Sequence, residues 1–300
     1  MINAISKTLI AAALCTAVAA QAQTIVFQDA TGTVINSTLN INGTNYSTDW
    51  YLPTGTANGI VSVQHGFSRN CGHQRDTTKR FMASGLMAIC INASMQGGNE
   101  ALADQVAAKL IDPSLVTPDG RAVPYKIVVG GHSAGGHFGS RLGLKLHQIA
   151  PDRLAGGVFF DPVAGNTTSF MTNMTTISQN GLRPVYAVAA NSNICNSSNN
   201  SFAALKQIRT NAIANGRDGF VGMQLTSSST HVDSEGNNTN FTGYAACFQS
   251  APKTYNTDYL RTMTSQWAVD IVNNVKTAAM YPNGSYINNL ISISRGKLIQ

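Results

Sequence analysis

The sequence is short of charge, of tryptophan and of long apolar runs. Only 11% of its 300 residues are charged and two are tryptophan. Twenty basic residues stand against 14 acids, and the bases are scattered, which excludes the clustered cationic face that a nucleic-acid binder needs. No apolar stretch after residue 22 is long enough for a membrane-spanning helix, so no membrane span is expected. The motif H-E-x-x-H does not occur, and Cys71-Gly72-His73 lacks further ligands at metal spacing; neither a metal nor an organic cofactor is expected. Proline-rich and glycine–serine linkers and internal repeats are missing too, so residues 23–300 read as a single domain with one large core.

What is present begins with a leader. Residues 1–22 carry one lysine, the apolar stretch "LIAAALCTAVAA" and the small-x-small ending Ala20-Gln21-Ala22, the pattern of a cleaved signal peptide. The expected product is a secreted or periplasmic protein. Loss of Lys7 lowers the formal charge from +6 to +5, and Asn, Ser and Thr take the place of charge on the surface. Cys71, Cys90, Cys195 and Cys247 remain, an even number in an oxidising compartment, which implies two disulfides and leaves three connectivities.

Glycine is abundant where it costs most. In "KIVVGGHSAGGHFGS", residues 126–140, a β-branched run leads into Gly131-His132-Ser133-Ala134-Gly135. Each glycine inside a regular element costs about 0.5–1 kcal/mol relative to alanine, so the cluster needs a reason. G-x-S-x-G supplies one: a strand turns sharply into a helix with a strained serine at the tip, and the small flanking residues let the two backbones pass closely. "KIVV" has the composition of a buried strand, and Phe138, Leu142 and Leu146 follow at helical spacing.

Along the whole chain, apolar strands alternate with amphipathic helices. "TDWYLP", "GIVSVQHGF", "LMAICINA", "KIVVGG", "LAGGVFFDP", "PVYAVAA" and "GFVGMQLT" read as strands, with helices between them and a last helix over "TDYLRTMTSQWAVDIVNNVK". This alternation predicts a doubly wound, mostly parallel α/β sheet with the ligand site at the carboxyl ends of its strands. The chain here resembles the α/β-hydrolase family over nearly all of residues 23–300. His65-Gly66 stands after that family's third strand, G-x-S-x-G after its fifth, and His231 after its last. "GHSAGG" is similar to the serine box of secreted cutinase-like polyester hydrolases and lipases, whereas "FFDPVAG" at 159–165 resembles the acid-bearing strand end of the chlorophyllase type. The resemblance implies the α/β-hydrolase fold and a serine esterase.

A serine hydroxyl needs a base, and the base needs a third group to orient it. In this fold the order is serine, acid, histidine, which selects His231 in "SSSTHVDSEG". Asp161, at the end of "GGVFFD", is the expected acid, with Asp233 as the alternative; "NSNICN" after the next strand offers no carboxylate. The amides of Phe67 and Ala134 are expected to form the oxyanion hole, with His65 bracing that loop and His132 and His137 packing or hydrogen bonding beside the elbow. About twenty residues separate Asp161 from the strand at Pro184, too few for a large cap domain, so the cleft is expected to be open. Phe170, Met171 and Met174 in "TTSFMTNMTTIS" are expected on its rim, binding substrate. The loops bearing Cys195 and Cys247 should be neighbours at the carboxyl edge, which pairs these two and leaves Cys71 with Cys90. The function expected is hydrolysis of carboxylic esters, polymers and lipids included, by a monomer. A chlorophyllase-like esterase, a serine peptidase and an acyltransferase could use the same residues, and an inactive scaffold that only binds is the non-enzyme alternative.

Overall fold

A strand that is apolar at every position, such as Met87–Ile91, has to be covered on both faces, and this requirement organises the molecule. The structure, a computed structural model, describes residues 23–300; the leader expected over 1–22 lies outside the described residues. In chain order the elements begin β1 (Thr24–Asp29), β2 (Gly32–Ile41), β3 (Thr44–Pro53), β4 (Gly59–Gln64), α1 (Arg75–Ala83), β5 (Met87–Ile91) and α2 (Glu100–Ile111). They continue β6 (Lys126–His132), α3 (Ala134–Ile149), β7 (Leu154–Phe160), α4 (Thr167–Ser178), β8 (Val185–Ala189) and α5 (Phe202–Ala214). The last are β9 (Gly222–Leu225), α6 (Phe241–Ala245), α7 (Thr254–Asn273), α8 (Ser285–Ser292) and β10 (Gly296–Leu298).

All ten strands form one sheet in the order β1-β2-β3-β5-β4-β6-β7-β8-β9-β10. From β5 through β9 neighbours are parallel; β1, β2 and β3 on one side and β10 on the other run antiparallel to their neighbours. The alternation of side chains along each strand divides the core in two. Ile127 and Val129 of β6 face a layer built by α2, α3, α4 and α5, with Phe138, Leu142 and Leu146 from α3. Val128 faces the opposite layer, where Met263 and Trp267 of α7 and Leu290 of α8 pack. The sheet is doubly wound as the alternating pattern predicts.

The pattern also misses elements. β1 escapes it because its apolar run is only three residues long, β2 because polar Asn, Ser and Thr interleave its apolar residues, and α8 and β10 follow the last helix it identifies. Between β7 and β8, α4 packs against α3 and α5 as part of the layer, so no cap domain is inserted there. Among the described residues no helix is long and apolar enough to cross a membrane. Cys71 is bonded to Cys90 and Cys195 to Cys247.

Candidate active site

β6 ends at His132 and α3 begins at Ala134, which leaves Ser133 alone to make the turn. It does so at φ 56° and ψ −125°. A non-glycine residue held there costs about 1–3 kcal/mol and persists only if its surroundings fix it. They do: the Ser133 amide donates to the Phe160 carbonyl at 3.2 Å, and its carbonyl accepts from Gly136 and Val163, both at 2.9 Å. The flanking glycines answer for their cost by close approach. A Cβ on Gly131 would lie 2.3 Å from the Gly135 carbonyl oxygen, and one on Gly135 would lie 2.3 Å from that of His65. The first contact sets strand against helix; the second sets the helix against the His65-Gly66 loop.

Asp161 follows the last residue of β7 at φ 39°, a left-handed conformation that aspartate tolerates better than most residues. Its Oδ2 accepts a 2.6 Å hydrogen bond from His231 Nδ1, and both groups are buried. Oδ1 accepts from the Ala190 amide at 3.0 Å, and Asn196 Nδ2 lies 3.3 Å from Oδ1 and 3.2 Å from Oδ2. The His231 amide in turn donates to Gln249 Oε1 at 2.9 Å. With Nδ1 donating to a carboxylate, Nε2 is the free nitrogen of the ring. Asp233 is turned elsewhere: it accepts from the Thr230 amide at 2.9 Å and from the Thr230 hydroxyl at 2.7 Å. Burial pushes the Asp233 carboxyl up to about 7, against the pull of these two bonds, and the charge of Asp161 adds to the rise. The acid that meets His231 is Asp161.

Gly66 and Phe67 follow β4 beside the elbow. Neither the Phe67 amide nor the Ala134 amide, the first of helix α3, has an acceptor among the described residues. His65 braces this loop through a 2.9 Å contact between its Nδ1 and the Gly66 carbonyl. A cavity of about 500 Å³ opens over these groups, lined by Phe67, Arg69, Ser133, His231 and the Cys195–Cys247 bridge among others. No hydrogen bond joins Ser133 Oγ to His231, a contact that often tightens only when substrate is bound. Among the described residues no group of three His, Cys, Asp or Glu side chains stands close enough together to hold a metal ion.

The expected rim is a correction. Phe170 and Met174 are fully buried and Met171 is half-buried against the same core, none of them lining the cavity. Their segment is helix α4, and the i, i+4, i+7 spacing of Phe170, Met174 and Ile177 points them at the core. The exposed apolar residues near the cavity are Phe67, which lines it, and Ile194, Phe241 and Phe248, each next in sequence to a lining residue. Sequence reasoning also missed Asn196 and Gln249. Each sits within two residues of a bridged cysteine, but no local pattern in the sequence marks its partner.

No family model matches the chain, and no curated protein matches it in sequence. Solved structures do. Dienelactone hydrolase from Anabaena variabilis is 11% identical with a TM-score of 0.54, the alignment covering 80% of this chain and 98% of that one. S-formylglutathione hydrolase from Agrobacterium tumefaciens is 11% identical with a TM-score of 0.53, covering 85% and 99%. The esterase rPPE, as a point mutant, is 12% identical with a TM-score of 0.53, covering 84% and 86%. Sheet order, elbow and these likenesses agree: the chain has the α/β-hydrolase fold.

Proposed function

We propose that the protein is an exported serine hydrolase that cleaves carboxylic esters through an acyl-enzyme on Ser133. The observation that carries this reading is the 2.6 Å contact between His231 and Asp161 beside a cavity that Ser133 also lines. Ser133 Oγ attacks the ester carbonyl carbon while His231 Nε2 takes its proton, and Asp161 stabilises the imidazolium that results. The Phe67 and Ala134 amides receive the negative charge that develops on the carbonyl oxygen, each worth about 3–4 kcal/mol when aligned. Collapse of the tetrahedral intermediate breaks the ester C–O bond, and His231 returns the proton to the departing alcohol. Water, deprotonated by His231, then attacks the acyl-enzyme and releases the acid with Ser133 restored.

The names of the similar structures, an esterase and two hydrolases, agree with this chemistry. The leader pattern and two disulfides support export. Two features favour large apolar esters of the lipase, cutinase and polyester type. The strand ends carry no inserted cap between β7 and β8, and Phe67 on the lining, with Ile194, Phe241 and Phe248 next in sequence to lining residues, are 60%, 65%, 71% and 87% exposed. Arg69 and Glu235, charged residues of the lining, are paired with each other and leave no charge free for an ionic substrate.

A substrate panel tests the reading: p-nitrophenyl esters, triglyceride, polyester film, chlorophyll and peptide, each with wild type and Ser133→Ala. Turnover is expected of the esters and not of peptide, and none with the variant. Peptide cleavage by a protein inert toward every ester overturns it.

A further inference from the structure

His132, the residue before Ser133, is occupied in a way the mechanism above does not use. The residue is 1% exposed, and its ring stacks at a tilt on that of His231, the centroids 4.7 Å apart. Its Nε2 lies 2.7 Å from the His231 main-chain carbonyl oxygen. A carbonyl only accepts, so Nε2 bears the hydrogen, and in the neutral ring Nδ1 is bare. Nδ1 has no hydrogen-bond partner among the described residues and stands 3.7 Å from Glu235 Oε1.

Glu235 is itself engaged. Arg69 Nε donates to Oε1 at 2.8 Å and Arg69 Nη2 to Oε2, while Nη1 donates to Asn240 Oδ1 at 3.0 Å. Arg69 closes the turn that follows the Gly66-Phe67 loop, its amide donating to the Gly66 carbonyl at 3.2 Å. The histidine loop is thus gripped twice, at His231 from the serine elbow and at Glu235 from the oxyanion loop. The first grip is buried and the second part-buried with Glu235 itself fully covered, and a hydrogen bond so placed is strong and its loss expensive.

We propose that His132 is a positioning residue for the hydrolysis assigned to Ser133, holding the His231 main chain in register with the nucleophile, while Arg69 keeps His132 neutral by occupying Glu235. The inference rests on the serine-hydrolase reading. An unpaired Glu235 would draw a proton onto Nδ1, and the resulting cation would stand against His231 just when His231 must itself become charged. Besides Arg69 acting through Glu235, the ionisable groups facing His132 are His231 from the same loop, Glu235, and Asp161 from the end of β7. Burial and the neighbouring His231 push the His132 imidazole down to about 4, with Glu235 and Asp161 pulling the other way.

The test combines kinetics with a readout that needs no turnover. His132→Leu removes the donor; His132→Gln places an amide N–H near the position of Nε2. For His132→Leu, kcat on a p-nitrophenyl ester is expected to fall about 10- to 100-fold with KM within about twofold, and Gln to restore most of the loss. Nitrogen-15 NMR of the wild type is expected to show His132 as the Nε2–H tautomer, neutral above pH 5, and to show it titrating at higher pH in Arg69→Met. A His132 ring protonated on Nδ1 overturns the proposal even if His132→Leu fails to fold. So does an unchanged kcat in His132→Leu, or a Gln variant that recovers thermal stability without kcat. A wild type that neither turns over ester nor labels at Ser133 with a fluorophosphonate refutes the hydrolase reading and this role with it; an active, labelled wild type with an indifferent His132→Leu refutes this role alone.

Discussion

Replacing Cys195 and Cys247 together by alanine frees a loop that the bridge closes over 52 residues, whereas the same change at Cys71 and Cys90 frees one of 19. In the chain-entropy model these closures are worth about 4 and about 3 kcal/mol. For a chain of this size the larger loss corresponds to roughly 10 °C in Tm. Stability alone therefore barely separates the two bridges, and position does. Cys195 adjoins Asn196, which holds Asp161, and Cys247 lies two residues from Gln249, which holds the His231 amide. The 195–247 bridge joins the supports of acid and base, while 71–90 joins the turn that precedes α1 to β5 and adjoins neither Asn196 nor Gln249. Thermal unfolding by circular dichroism and ester turnover at 25 °C, well below either Tm, are the assays. Both double variants should lose stability, but only Cys195→Ala/Cys247→Ala should lose kcat while still folded, by tenfold or more on the scale of a misplaced catalytic group. Equal kcat in the two folded variants would refute the claim that this bridge aligns the site.

Three further perturbations bear on the acid and the elbow. Asp161→Asn should keep the fold and lower kcat by about 10⁴, because a neutral partner leaves His231 in the wrong tautomer, while Asp233→Asn should change turnover little; the reverse pattern moves the acid to Asp233. Asp233 titrates near 7 when folded against 3.8 as the ordinary value, so its contribution is complete below about pH 4 and is lost as pH rises to 7. The stability of wild type relative to Asp233→Asn should fall by about 3 kcal/mol between those limits, read from urea unfolding, and a pH-independent difference would contradict it. Gly135→Ala puts a Cβ 2.3 Å from the His65 carbonyl oxygen and 2.4 Å from that of Gln64, backbone atoms that cannot step aside. It should cost about 1–3 kcal/mol or more and slow turnover; a variant with unchanged Tm and kcat would show that the close approach is not required.

The elbow and the order of the parallel strands were legible because they impose hard local demands. Only glycine fits where the Gly131 and Gly135 Cα atoms face carbonyl oxygens, and only an apolar run survives in a strand covered on both faces. Asp161 was legible as the one acid ending such a run. Phe170, Met171 and Met174 were misread because apolar residues at helical spacing serve a core and a cleft rim equally well; the choice rests on where α3 and α5 lie, which is a tertiary fact. β2 was missed because its alternating Asn, Ser and Thr look like loop. Asn196 and the Arg69–Glu235 pair were invisible for another reason. Their partners are far away in the chain, Asp161 lying 35 residues from Asn196 and Glu235 lying 166 from Arg69, so no local pattern marks them.

The central claim is that Ser133 is the activated nucleophile. A fluorophosphonate probe followed by peptide mapping tests it most directly, because the probe bonds only to a serine whose proton a neighbouring base can take. Stoichiometric labelling confined to Ser133, abolished together with ester turnover in Ser133→Ala, is the predicted result; labelling at another serine, or undiminished turnover in that variant, would contradict the account.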